Sequence, residues 1–338
     1  MKASMTLDRI QNPEIPSDAE SISLAEREKR LTDALHTIQS LASLVGHEDL
    51  PIVEATGADG ILTSPGIYWL DTTRDTQQVE DTSFVFLPEH LSGAADSAHA
   101  VVPGKLVVTK TDGSESDITV VAKCYSKREF PDRIARAIKE VRVMNALRER
   151  GKLTITPVAV AVAPWSDENH GEVILITHYN PQLVTFDNLP WSLGLTPENI
   201  ENAELGASAV AQFISFGYRH GDAKIKNVAQ DEDSNVAMID FETSEEIDMS
   251  NPQDVSTAVL EDYGKYLDSL KKKGLFGNRK RRLSATFIRN AIDSISLAFA
   301  SQWEGASEET QNLVWEQMEQ AIHVNFPNIE NHRGYYAA

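Results

Sequence analysis

Apolar positions change their spacing along the chain. Leu31, Leu35, Ile38, Leu41 and Val45 recur at steps of three and four, after a Ser23–Glu26 pair spaced as a capping box and before Gly46. This predicts one amphipathic helix behind a flexible tail that reaches about residue 20. The run lacks the three or four heptads of a dimerising coil, so the helix is expected to pack on the neighbouring lobe. From about 60 to 125 the runs become short, β-branched and aromatic: Gly66–Leu70, Ser83–Leu87, Leu106–Val108 and Ile118–Ala122, separated by Gly, Asp and Ser. They predict an antiparallel sheet, with Thr111–Ser114 as the turn between the last two strands.

Helical spacing then returns. Pro131 and Asp132 open a segment that sets Ile134, Ile138, Val141, Met144 and Leu147 on one face, and Gly151 closes it. A strand follows at Val173–Ile176. After Pro197 a helix marked by Ile200, Ala203, Ala207, Val210, Phe213 and Ile214 leads to His220, two short strands flank the loop beyond it, and further helices are expected near 253–272, 283–303 and 307–322. A strand-rich first part and a helical second part suggest two lobes with a cleft between them.

Composition narrows the function classes. Of 338 residues, 41% are hydrophobic and 24% charged, which suits a globular core. No apolar run is long enough to cross a bilayer and the N-terminus lacks a signal-peptide core, so a cytoplasmic protein is expected. The single Cys124 can form no internal disulfide, which fits a reducing compartment. A net charge of −20 disfavours nucleic acid and anionic membrane as partners. Against that field, Lys271–Arg282 (KKKGLFGNRKRR) packs seven of the 31 Lys and Arg residues into twelve positions. It reads either as a solvated loop or as a docking site for an anionic acceptor.

The chemistry concentrates in Tyr218-Arg219-His220-Gly221-Asp222-Ala223-Lys224-Ile225-Lys226-Asn227 and, thirteen residues after Asn227, in Asp240-Phe241-Glu242 at the end of an apolar strand. This resembles the catalytic loop and metal-binding segment of the protein kinase-like superfamily, His-x-Asp-x-Lys-x-x-Asn followed by Asp-Phe-Gly. Upstream, Val121-Ala122-Lys123 resembles the superfamily's strand lysine, and Glu140, seventeen residues on, its ion-pair partner. A lysine in an apolar strand needs such a carboxylate, since an unpaired buried ammonium is costly. Taken singly, each piece has a plainer explanation: an edge strand, a turn, a polar loop. All of them in this order at these spacings argue for shared chemistry.

The resemblance implies an α+β, bilobal protein kinase-like fold: an N-terminal tail and helix at 1–55, an antiparallel β N-lobe at 56–180 and a mainly helical C-lobe at 181–330. It implies ATP with Mg2+ or Mn2+ as cofactors, Asn227 and Asp240 as metal ligands, Asp222 as the base that orients an acceptor hydroxyl, and Lys224 offsetting charge on the transferred group. Lys123, paired with Glu140, would hold nucleotide phosphates in the cofactor site, and Thr177, His178 and Tyr179 would form the hinge where adenine binds. His220 is expected to be structural, tying its loop to the segment around Asp240.

The sequence also departs from the pattern. No glycine-rich loop precedes Lys123; the nearest candidate runs from Ser92-Gly93-Ala94 to Pro103-Gly104. Glu242 stands where the metal segment has glycine, as in kinase-like enzymes acting on sugars and lipids, and no Ala-Pro-Glu motif follows. Only 22 residues separate Asp240 from Asp262, where Leu260–Leu267 looks like the anchoring helix of the small atypical kinases. The chain therefore resembles the lipopolysaccharide-kinase and RIO-like group best, although Lys224 is the residue of protein kinases. The expected activity is transfer of the γ-phosphate to a hydroxyl of a protein or a small molecule. A nucleotide-binding pseudokinase scaffold and an AMP-transferring enzyme remain the alternatives.

Overall fold

The computed structural model describes strands at 52–54, 66–69 and 79–86 and the chain from 100 to 327, apart from residues 111, 126–129, 153–154, 163–172, 181, 190, 192–194 and 277–283. The helix expected at 23–45 lies outside the described residues. Seven strands form one sheet: β1 (Ile52–Glu54), β2 (Gly66–Trp69), β3 (Val79–Phe86), β4 (Ala100–Lys110), β5 (Glu115–Cys124), β6 (Pro157–Val162) and β7 (Val173–His178), in the order β1-β2-β6-β7-β5-β4-β3. Every pairing is antiparallel except β1 with β2, which is parallel and corrects the expectation of a purely antiparallel sheet. Alternation along a strand fixes its two faces but not the direction of its neighbour, and a run of three residues is too short to show any period.

β5 presents Ile118, Val120, Ala122 and Cys124 to the core, so Lys123 falls on the opposite face. The turn into β5 forms as expected, with Gly113 at φ 77° and the Asp112 carboxylate accepting from the Ser114 N–H. Helix α1 (Phe130–Glu149) follows; Ala137, Val141, Met144 and Leu147 are buried along one stripe, and Gly151, at φ 64°, ends it. All six residues of β6 are buried, yet its Ala-Val alternation carries too little apolar contrast to have been read as a strand.

Four more helices among the described residues build the second part: α2 (Pro197–Ser215), α3 (Pro252–Lys272), α4 (Ala285–Ala300) and α5 (Glu308–Asn325). Side chains of Thr196, Asn251, Ser284 and Ser307 cap their N-termini by accepting a backbone N–H, and Pro opens α2 and α3. Their packing is close: the Tyr263 and Phe299 rings lie 4.7 Å apart, and the Tyr266 hydroxyl donates to the Ala203 carbonyl on α2. Between these helices and the large sheet run five short strands. β8 (Val184–Thr185) pairs with β10 (Val228–Gln230), which pairs with β11 (Val236–Met238); β9 (Tyr218–Arg219) pairs with β12 (Glu245–Glu246). The β10–β11 hairpin is what separates Asn227 from Asp240 in sequence and returns the chain to it in space. The whole is α+β.

Candidate active site

The loop between β9 and β10 is fixed from several sides. The His220 and Gly221 N–H groups donate to the two oxygens of Asp262 on α3, at 2.6 and 2.9 Å. Asp262 is fully buried, and burial pushes its carboxyl up despite the pull of His220 and these two donors. Lys265, one turn along α3, donates to the Gly221 carbonyl. Gly221 itself sits at φ 76°, and a Cβ there would lie 2.8 Å from the Thr243 carbonyl oxygen, so only glycine fits. The buried His220 ring accepts the Asp222 N–H at Nδ1, which leaves the proton on Nε2 to donate to the Ile239 carbonyl at 2.9 Å. His220 thus ties its loop to the strand end that carries Asp240, the structural part expected of it.

Asp222 stands at the loop's head. Its Oδ1 lies 2.5 Å from Lys224 Nζ, and its Oδ2 lies 3.2 Å from Asn227 Nδ2 and 3.8 Å from Lys226 Nζ. Asn227, almost fully buried, also donates to the Asp222 carbonyl; this commits the amide nitrogen and turns the amide oxygen the other way. The Asn227 carbonyl accepts from Ile239 N–H, locking the loop to the segment before Asp240.

Asp240 adopts a left-handed conformation (φ 65°, ψ 66°), rare outside glycine and costing of the order of 1–3 kcal/mol. That backbone twist delivers its carboxylate to Lys123 across 117 residues of sequence, at 2.5 Å. Lys123 also reaches Glu140 at 2.9 Å and Glu242 at 3.6 Å. Burial alone would favour the neutral amine, but Glu140, Asp240 and Glu242 outweigh it and hold Lys123 firmly protonated; Lys123 in turn holds Asp240 below the usual carboxylate range. The Tyr125 hydroxyl donates to Glu140, and Lys123 Nζ lies 5.2 Å from the Tyr125 ring centroid. Burial first, then Glu140, raises the Tyr125 pKa, so it stays a donor.

The three-residue turn after Asp240 is divided among three tasks. Phe241 is buried and stacks on Phe213 of α2, 5.4 Å away, beside His220. Glu242 faces α1, 3.5 Å from Arg136. The Thr243 hydroxyl donates to the His220 carbonyl.

The structure therefore gathers Lys123, Glu140 and Asp240 in one cluster, and Asp222, Lys224 and Asn227 in another, joined through His220, Asn227 and Ile239. Thr177 lies opposite Val121 on β7, two positions along β5 from Lys123. The N–H groups of His178 and Tyr179 donate to the Thr156 and Thr119 carbonyls, so these two donors serve the protein's own backbone. Pro103 and Gly104, part of the suggested phosphate-covering loop, lie within β4; residues 92–94 are outside the described residues. Tyr125 and Arg136 were not singled out in the sequence. Tyr125 could have been, because period-two alternation puts it on the face of Lys123.

The carboxylate of Asp240, whose side chain is one-third exposed, and the amide oxygen of Asn227 are the kind of oxygen ligand that could hold Mg2+, which takes one or two from protein together with substrate phosphates and water. Among the described residues, no group of three or more His, Cys, Asp or Glu side chains forms a ready cation site. None of their helices is long and apolar enough to cross a membrane.

No protein-family model and no curated protein matches the chain. Among solved structures it is similar to WaaP in complex with acyl carrier protein, with a TM-score of 0.35 and 16% identity over 65% of this chain and 85% of that one.

Proposed function

We propose that this chain is an ATP- and divalent-metal-dependent phosphotransferase of bilobal kinase-like architecture, which passes a γ-phosphate to an acceptor hydroxyl. The observation that carries the reading is the convergence on Lys123 of Glu140 from α1 and the left-handed Asp240 from the end of β11, with Asn227 bonded both to Ile239, just before Asp240, and to Asp222. A core built only for stability gains little from such a cluster, because desolvating the charges offsets most of their attraction.

Each group has work in phosphoryl transfer. Lys123, oriented by Glu140 and Tyr125, binds nucleotide phosphates. Asp222 receives the acceptor hydroxyl and its proton, and Lys224, already 2.5 Å from Asp222, offsets charge on the group in transit. Asp240 and Asn227 would hold the divalent ion, which would supply charge neutralisation and alignment of the phosphates. Lys123 already faces the carboxylates of Glu140, Asp240 and Glu242, so a polyphosphate brought beside them is favoured by the added charge of a metal.

The test is to incubate the protein with ATP labelled at the γ- or, separately, the α-phosphate, with Mg2+, Mn2+ or chelator, and with protein and metabolite fractions of a cell extract. Transfer of γ-label alone, abolished by chelator, is the expected result. Transfer of α-label would replace phosphorylation by AMP transfer. Nucleotide binding without any transfer would leave a scaffold.

A further inference from the structure

Helix α1 meets the site at two charged points. Glu140 reaches Lys123, and one turn earlier on the same face Arg136 reaches Glu242. Glu242 lies in the turn directly after Asp240, and its two oxygens are divided, Oε1 3.5 Å from Arg136 and Oε2 3.6 Å from Lys123. Both side chains are largely enclosed, Glu242 at 14% and Arg136 at 20% exposure. This separates the pair from exposed surface salt bridges, which contribute little.

We infer that Arg136 and Glu242 are positioning residues that latch α1 to the Asp240 turn and so hold Glu140 on Lys123 before nucleotide arrives. Glu242 lies about midway between the two cations, so removing the Arg136 charge favours its approach to Lys123, where it competes with Glu140 for the ammonium. With Arg136 it is drawn toward α1, and Lys123 keeps Glu140 and Asp240 as its nearer partners. The turn cannot follow α1 if the helix moves, because Phe241 is buried on Phe213 of α2 and the Thr243 hydroxyl is bonded to the His220 carbonyl. Moving α1 must therefore break Arg136–Glu242 along with Lys123–Glu140.

The kinetic consequence rests on the phosphotransferase reading; the latch itself does not. Arg136→Met keeps the aliphatic stem and removes the charge, whereas Arg136→Lys keeps a cation. In nucleotide-free protein, Arg136→Met should speed amide hydrogen exchange across α1 while β5 and α3 stay as in the parent, and Arg136→Lys should restore protection. In the active enzyme, Arg136→Met should raise the KM for ATP on the order of tenfold, the signature of weakened nucleotide binding with the chemical step intact. kcat should change far less, and Arg136→Lys should recover most of the loss. Glu242→Gln added to Arg136→Met should cost no more than Arg136→Met alone, because the two act as one pair. Unchanged α1 exchange, or additive effects of the two substitutions, would overturn the latch. If the parent protein transfers no phosphate, the functional reading falls and the exchange result alone still decides the latch.

Discussion

At the scale of single residues, Asp222 separates binding from chemistry. Its carboxylate is held by Lys224 and Asn227 and takes no part in the Lys123 cluster, so Asp222→Asn should leave nucleotide affinity unchanged. Turnover should fall on the order of a hundredfold, the usual contribution of a positioned general base. Equilibrium nucleotide titration beside steady-state kinetics checks this, and unchanged turnover would remove Asp222 from the reaction. Lys123, Glu140, Asp222, Asn227 and Asp240 could be singled out in the sequence only by standing together in the order and at the spacings of a kinase-like pattern, since each alone has a plainer local explanation. Less legible was what orients them. The left-handed backbone of Asp240, the Tyr125 hydroxyl on Glu140 and the Arg136 contact to Glu242 depend on how distant segments meet. The expected hinge shows the same limit: the pattern located the strand Val173–Ile176, but not that the His178 and Tyr179 N–H groups would be used by neighbouring carbonyls.

At the scale of elements, the close approach of α2 to α3 depends on Gly206. An isolated helix gains up to about 1 kcal/mol when glycine becomes alanine. Here the new Cβ would meet the Tyr266 hydroxyl at 2.1 Å and its ring at 2.8 Å, and Tyr266 is fully buried and bonded to Ala203. The clash should exceed the propensity gain, since overpacking a core costs about 1–3 kcal/mol. Gly206→Ala is therefore expected to lower thermal stability, and a higher melting temperature would show that α3 shifts freely. The capped, strongly periodic helices were legible to within a few residues: 253–272 was expected and Pro252–Lys272 is observed. The expected 283–303 becomes α4 followed by the 3-10 turn Ser301–Trp303. β1 and β6 escaped because one is too short and the other too uniformly small to show a period.

At the scale of the molecule, the proposed function asks a chain of net charge −20 to bind a polyanion against its own field, so cations have to be placed locally. The basic run partly answers to structure instead. Lys271 donates to the Asn325 carbonyl and lies over the Phe326 ring, Lys272 pairs with Asp268, and Lys273 binds Asp187; Arg279 to Arg282 lie outside the described residues. On the proposed function, the charge left for the task is at Lys123, Lys224 and a bound metal ion. The most direct test is single-turnover transfer from γ-labelled ATP with Mg2+ in the parent protein and in Asp240→Asn, with circular dichroism and melting confirming that the variant folds. Loss of a metal-holding carboxylate removes several kcal/mol of transition-state stabilisation, so transfer should fall by at least about a hundredfold. Transfer within a few-fold of the parent by a folded Asp240→Asn protein would contradict the assignment.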